Sequence, residues 1–290
     1  MTDITLEGLE ARIRALKSIK DIVSSMKALS ALSIRKAEAI LPDLRTYSKN
    51  IEDSMAQILH YFPEALRFFP DNEDRSLIVV FCSEQGLCGL FNEKIISQAQ
   101  SIINEHVTGI VVSGTRGFNE ARARGLPVML TLSSPVSVDA VDIKVMNLTT
   151  ELFQLYQEGR FQQLYLLFAY HRKKGDYLIV RQRVLPPPMK KIMKRARTRR
   201  PPLIYMKPEE IMEELLQQFL SISLYKAFVE SLASENASRL LSMERASKAI
   251  QDRFSELSEL YNYLRQEEIT NETIEIISAF EALRPLRFSF

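Results

Sequence analysis

The chain of 290 residues is 46% hydrophobic and 26% charged, the composition of a folded polypeptide with material for one or two domains, which excludes a disordered polymer. Lys and Arg number 38 against 36 Asp and Glu, a formal net charge of +2, so no overall basic excess argues for nucleic acid. No run approaches the roughly 18 consecutive apolar residues of a membrane helix, and any membrane role is expected to be peripheral.

Asp3, Glu7 and Glu10 stand among the apolar residues of the N-terminus, a pattern of neither a secretory signal nor a transit peptide. Residues 1–62 hold one glycine, Gly8, and one proline, Pro42. Apolar positions including Leu9, Ile13, Leu16, Val23, Met26, Leu29, Ala37, Leu41, Leu44, Ile51, Met55 and Ile58 recur in threes and fours. That spacing lays one stripe along a long amphipathic helix. Pro42 removes a backbone donor and marks the place for a bend. Pro63, Pro70, Asp71 and Asn72 then mark a loop.

Residues 76–186 read differently. Leu77–Cys82 is a buried-strand run rich in Val and Ile, and Phe91–Ile103 follows as a helix. Gly109–Ser113 and Val128–Leu132 are strands, with the helix Thr115–Arg124 between them closed by Gly125. Val138–Gln157 is a helix closed by Gly159, and Leu164–Ala169 and Tyr177–Val184 form a hairpin around Gly175. Strands alternating with helices predict an α/β domain with a mainly parallel sheet.

Pro186, Pro187 and Pro188 end that domain, and a Pro-flanked basic loop is predicted over 187–207. Its run KKIMKRARTRR, residues 190–200, carries Lys190, Lys191, Lys194, Arg195, Arg197, Arg199 and Arg200. Such a run suits an acidic protein surface, anionic headgroups or nucleic acid, and is most simply a solvated loop. No aromatic side chain is interleaved, which disfavours stacking on single strands.

A C-terminal helix is predicted over 208–288. Pro208 suits its first turn, and Glu209 and Glu210 sit at the positive end of its dipole. No glycine follows, and no proline before Pro285. The apolar stripe turns polar around Arg265, Gln266, Glu267, Glu268, Thr270 and Asn271, as either a solvated stretch or a face that meets something else. A helix of ~75 residues extends over roughly 110 Å, against a radius of gyration of about 19 Å for a compact chain of this size. Its stripe therefore needs a partner, and the N-terminal helix is the one available. The expected architecture is an antiparallel coiled coil of the two terminal helices, a shaft, with the α/β domain as a side lobe.

Catalytic signals are sparse. Ser83–Gly89 (SEQGLCG) follows a strand and precedes a helix, yet its glycines, Gly86 and Gly89, match neither GxGxxG nor GxxxxGK[ST]. A tight turn explains them better than a phosphate cradle. His60, His106 and His171 have no metal-ligand spacing, and no nucleophile–base set can be assembled. Cys82 and Cys88, without nearby histidines, read as free thiols of a reducing cytoplasm.

Several stretches resemble the gamma subunit of F-type ATP synthases. They are VESLASENASRLLSMERASKAI (229–250), YNYLRQEEITNETIEIISAFEAL (261–283), SEQGLCGLFN (83–92), YQEGRFQQLYLL (156–167) and IRALKSIKDIVSSMKALSAL (13–32). The resemblance spans the whole chain in the family's order. It implies a non-catalytic rotor shaft inside a ring of three alpha and three beta subunits. The lobe would sit near the epsilon subunit and the c-ring, peripheral to the cytoplasmic face of a prokaryotic inner membrane. Proton or sodium translocation would be coupled to ATP synthesis or hydrolysis, with no cofactor in this chain. Carried over by motif, Met26 and Lys27 meet an acidic loop of beta, Glu235 and Arg239 lie near the shaft base, and Arg265, Gln266 and Thr270 contact the ring. The sequence departs from the family at Leu90, where a second glycine is common, in LSALSIRKAE, and in the basic run. These departures point to a divergent branch such as the alternate N-type ATPases. Two other classes stand beside this one: an α/β enzyme with a coiled-coil dimerisation arm, and a scaffold binding nucleic acid or an acidic partner through the basic loop.

Overall fold

The computed structural model describes residues 5–68, 75–103, 106–172, 176–194 and 201–282. Two compact units divide the chain, Met1–Lys27 with Met243–Phe290, and Ala28–Ser242.

The first unit is built from two helices, α1 (Leu6–Tyr61) and α6 (Pro208–Ala282), of which it takes the start and the end. Lys20 donates to Gln251 at 2.9 Å, Lys17 lies over the Phe254 ring, and Tyr261 donates to Glu10. Each step down one helix is matched by an equal step up the other, so the pairing is antiparallel and in constant register. Leu9, Val23, Met243 and Leu257 fill the seam. Leu6, where α1 begins, falls opposite position 265 in this register. Past that point α6 has no helical neighbour among the described residues, and Ile269, Ile274, Ile276, Ile277 and Phe280 are 52–70% exposed.

Buried positions on α1 fall at multiples of seven residues, at Leu9, Val23, Ser30, Ala37, Ile51 and Ile58, with the half-buried Leu16 and Leu44 completing the series, the period that keeps one seam on a left-handed coil. The stripe read through Leu29 is corrected here: Leu29 is 64% exposed and Ser30 is 1% exposed. A seven-residue step from Val23, or back from Ala37, carries the seam onto Ser30 and leaves Leu29 outside it. Pro42 lies within α1, which continues through it.

The second unit carries a five-stranded sheet, ordered β3-β2-β1-β4-β5. The strands are β1 (Ser76–Phe81), β2 (Val107–Ser113), β3 (Val128–Leu132), β4 (Gln163–His171) and β5 (Tyr177–Leu185). All neighbours are parallel except β4 and β5, which form the expected antiparallel hairpin; its turn, with Gly175, lies outside the described residues. Both faces of β1 are buried, which explains its unbroken apolar run. Leu77, Val79 and Phe81 face α1, α4 (Val141–Gln157) and the first part of α6. Ile78, Val80 and Cys82 face α2 (Phe91–Ile102) and α3 (Thr115–Ala123). Phe81 meets Phe228 of α6 edge-on at 4.7 Å between ring centres.

The stretch read as a basic loop contains a short helix, α5 (Met189–Met193), held by Ile192, which is 1% exposed. Met189, partly buried, packs against the same core. Arg195, Arg197, Arg199 and Arg200 lie outside the described residues, as does the end of the C-terminal helix expected beyond 282.

Candidate functional site

The carboxyl ends of the parallel strands are where an open α/β sheet binds its ligands, most of all where strand order reverses. Here the reversal lies between β1 and β4. Ser83–Gly89 leaves β1 in a turn closed on itself: Ser83 N–H donates to Asn92 Oδ1 at 2.9 Å and Asn92 Nδ2 donates to Ser83 Oγ at 2.7 Å. Leu87 takes a left-handed conformation at φ +65, and Gly89 one at φ +59.

An incoming phosphate would seek the N-terminus of α3, which the chain's own Glu84 occupies. Its carboxylate accepts from Thr115 Oγ1 at 2.6 Å, from Ser134 N–H at 2.8 Å and from Thr115 N–H at 3.3 Å. Burial alone would raise the Glu84 carboxyl, but these hydrogen bonds outweigh it and hold it below its ordinary value. A folded value below the unfolded one means stability present above the ordinary carboxylate range and lost as pH falls through the lowered folded value. Protection of the Thr115 and Ser134 amides against exchange, corrected for intrinsic rates, is therefore expected to fall on acidification. Glu84→Gln is expected to make it low and flat with pH; a pH-dependent profile retained in that variant would remove Glu84 as the cause.

Along α6 a polar stripe faces the same end of the sheet. Ser231 Oγ accepts from Ala169 N–H, Ser234 Oγ donates to Ala169 C=O, and Ser238 Oγ donates to Cys88 C=O. Arg239, 5% exposed, donates to Glu235 at 2.6 Å, to the Gly86 carbonyl at 3.2 Å and to Asn236 Oδ1 at 3.1 Å. Burial pushes the Glu235 carboxyl up, with the Arg239 guanidinium the main influence holding it down. This arrangement clamps a helix to a turn.

Burial also raises both thiols, Cys82 far above its ordinary value and Cys88 in spite of the Ser83 hydroxyl, so neither is an activated nucleophile. Among the described residues no group of three or more His, Cys, Asp or Glu could hold a metal ion. His60 stacks edge-on with Tyr61, His106 accepts from Ser76 through its carbonyl, and His171 lies 3.1 Å from Glu38. A groove of about 470 Å³ between α4 and α6 is lined by Asp142, Thr149, Glu214, Gln217, Ser221 and Tyr225.

The residues singled out by motif separate into three places. Met26 and Lys27 are half-buried on α1, while Arg265, Gln266 and Thr270 are exposed on α6. In the coil's register these two sets stand ~20 residues apart, roughly 30 Å along the axis. Thr270 Oγ1 donates to the Gln266 carbonyl at 2.7 Å. Glu235 and Arg239 are brought together, both buried against the sheet-bearing unit's own turn. Sequence reading missed Glu230, whose side chain is fully buried. Its signal was present: a carboxylate eleven residues after Phe219, three helical turns on, on the apolar face.

The family model described as ATP synthase matches residues 5–283. The ATP synthase gamma chain of Magnetococcus marinus is 30% identical over 298 residues, covering 96% of this chain and 99% of its own. That of Bdellovibrio bacteriovorus is 28% identical over 296 residues, covering 97% and 99%. Among solved structures, a chain of the Euglena gracilis mitochondrial ATP synthase (OSCP/F1/c-ring) superposes with a TM-score of 0.65 at 15% identity over 98% of each chain. A chain of the Tetrahymena thermophila mitochondrial ATP synthase central stalk and c-ring gives 0.59 at 21% identity, over 78% of this chain and 99% of that one.

Proposed function

This chain belongs to the ATP synthase gamma family, and from that premise we infer that it is the central rotor stalk of a rotary F-type ATP synthase or ATPase. It couples ion translocation through the membrane sector to ATP chemistry in the alpha/beta ring. The chain contributes no catalytic group, binds epsilon and the c-ring as well as the ring, and works at the cytoplasmic face of a prokaryotic inner membrane as a peripheral subunit. No helix among its described residues is long and apolar enough to cross a membrane.

The observation that carries this reading is the end of α6, which runs on past the coil. An antiparallel pair in constant register is a stiff rod, and beyond residue 265 its second helix presents five exposed large apolar side chains. In water such a face has no reason to persist; surrounded by other subunits it becomes a bearing surface. Burying one such side chain is worth about 1.5–3 kcal/mol. A tenfold change in nucleotide affinity at one ring site requires about 1.4 kcal/mol of differential contact. One side chain gained or lost per step is therefore enough to bias a site, provided the shaft presents unlike faces to the three beta subunits.

Arg265, Gln266 and Thr270 border that surface and supply polar groups that engage one subunit and release it. Arg265→Glu is expected to lower coupled ATP synthesis and ATP-driven pumping several-fold while moving the unfolding free energy by no more than about 0.5 kcal/mol, because the residue is exposed. Undiminished coupled synthesis in that variant would count against the residue. For the function as a whole, affinity capture with this chain as bait is expected to return alpha, beta, epsilon and c subunits in stoichiometric amounts. Recovery of nucleic acid, or of no ATP synthase subunit, would overturn it.

A further inference from the structure

In the sheet-bearing unit, β4 outruns its neighbour. The β1–β4 ladder ends at Val80 and Leu167, while β4 continues to His171. On its other side β4 stays paired with β5, Ala169 opposite Ile179 and His171 opposite Tyr177. Past Leu167 the backbone groups on the β1 side need other partners. Helix α6 provides them. Ser231 and Ser234 take the N–H and C=O of Ala169 at 3.2 and 3.1 Å, and Glu230 Oε2 accepts the His171 N–H at 3.0 Å. The ladder is handed from a strand to a helix.

The other oxygen of Glu230 reaches the second helix. Glu230 Oε1 accepts from Arg45 Nη2 of α1 at 3.2 Å, and the Glu230 side chain is fully buried. Arg45 also donates to Tyr170 Oη and lies over the Tyr170 ring. Glu38 of α1 meets the His171 ring at 3.1 Å. Consecutive residues at the end of β4 are thus held from α1 and α6 together, through one buried carboxylate. Lys226, partly buried, is the further cation near it.

An apolar core resists separation of its layers but is non-directional and lets them slide. Only Glu230 is buried, Arg45 being 48% exposed, and such a pair is a poor device for stability alone; the best-attested use of a buried charged group with a partner is to specify register. Resting on the rotor reading above, we propose that Glu230 is a positioning residue for energy coupling. It keys α1 and α6 to the end of β4, so that twist in the helix pair reaches the sheet without slip.

The test compares Glu230→Gln, Arg45→Met and the double variant in the assembled, membrane-reconstituted complex, reading ATP hydrolysis, ions pumped per ATP, and thermal stability. Glu230→Gln is expected to hydrolyse ATP within about twofold of the parent while pumping at least about threefold fewer ions per ATP. In the double variant stability is expected to return towards the parent, because removing Arg45 relieves its repulsion of Lys226 once the carboxylate is gone, while pumping per ATP stays low. An unchanged pumping ratio in Glu230→Gln overturns the proposal. So does a ratio that recovers together with stability in the double variant, which is what a merely structural role predicts. Should Glu230→Gln fail to assemble, Ser231→Ala with Ser234→Ala removes the neighbouring keys; a lowered ratio there supports the joint and an unchanged one overturns it. A parent complex that assembles but does not pump counts against the rotor reading instead, so the two failures are distinguishable.

Discussion

Arg239→Ala is expected to destabilise the sheet-bearing unit by about 3–5 kcal/mol near pH 7. The guanidinium is the partner of Glu235, a carboxylate 6% exposed, and the donor to the Gln85 and Gly86 carbonyls. Removing it strands a buried charge and three acceptors, Asn236 Oδ1 being the third, each worth about 1–3 kcal/mol if water does not replace the donor. The chain has one escape, which is to protonate Glu235. Keeping an ordinary carboxyl of pKa about 4.3 protonated at pH 7 costs about 3–4 kcal/mol, and that bounds the loss from the charge itself.

The sign with pH follows from the same group. Burial already raises Glu235 above its unfolded value, and Arg239 is the main influence that lowers it. Without Arg239 the folded value climbs further. A raised group contributes stability that is present below the unfolded value and lost as pH rises through the folded one. The deficit of Arg239→Ala relative to the parent is therefore expected to be smallest near pH 4, where only the stranded neutral acceptors contribute, and to widen as pH rises. Denaturant titrations at pH 4.5 and 7 check this. A cost that is the same at both values would mean that packing of the arginine, not its charge, holds the turn.

Gly114→Ala is the second large effect, at about 2–5 kcal/mol from backbone strain and overpacking combined. Gly114 sits at φ +102, and a Cβ there would lie 2.5 Å from the Ser83 carbonyl oxygen and 2.6 Å from that of Cys82. Those atoms cannot retreat cheaply. Gly114 N–H is bonded to Leu132 C=O at 2.8 Å, Cys82 N–H to Ser113 C=O at 2.9 Å, and Arg116 N–H to Ser83 C=O at 3.2 Å. The start of α3 must shift instead, taking with it the hydrogen bonds to Glu84. Gly125 is the control: its φ is +68 but nothing lies within 4 Å of an added Cβ, so Gly125→Ala is expected to cost only about 1–2 kcal/mol. Equal losses from the two substitutions, measured by thermal unfolding, would show that the close approach at Gly114 is relieved without penalty.

Much of the architecture is readable because its signals are local. The apolar recurrence in threes and fours along residues 1–62 depends on nothing beyond neighbouring turns of one helix. The unbroken run Leu77–Cys82 declares a strand covered on both faces, and the polar break at Arg265–Asn271 coincides with the point where α6 loses its helical neighbour. The motif residues Glu235 and Arg239 are readable as a pair, four residues apart on one helix face. Their burial against Gln85 and Gly86 is not, because that contact joins positions some 150 apart in the chain.

What the amino-acid order determined by itself is therefore the set of pieces: two long amphipathic helices, a strand-helix alternation, a hairpin, and a family signature. Only the tertiary structure decided how the pieces key together. It placed Ser30 and not Leu29 in the seam, ordered a turn of helix around Ile192, filled the α3 N-terminus with Glu84, and let α6 take over from β1 along the end of β4. The physical reason is range. Periodicity and turn chemistry act over a few residues and are written in the chain, whereas the partner of a buried carboxylate such as Glu230 is chosen by whichever unsatisfied groups the folded layers bring to 3.0–3.2 Å from it.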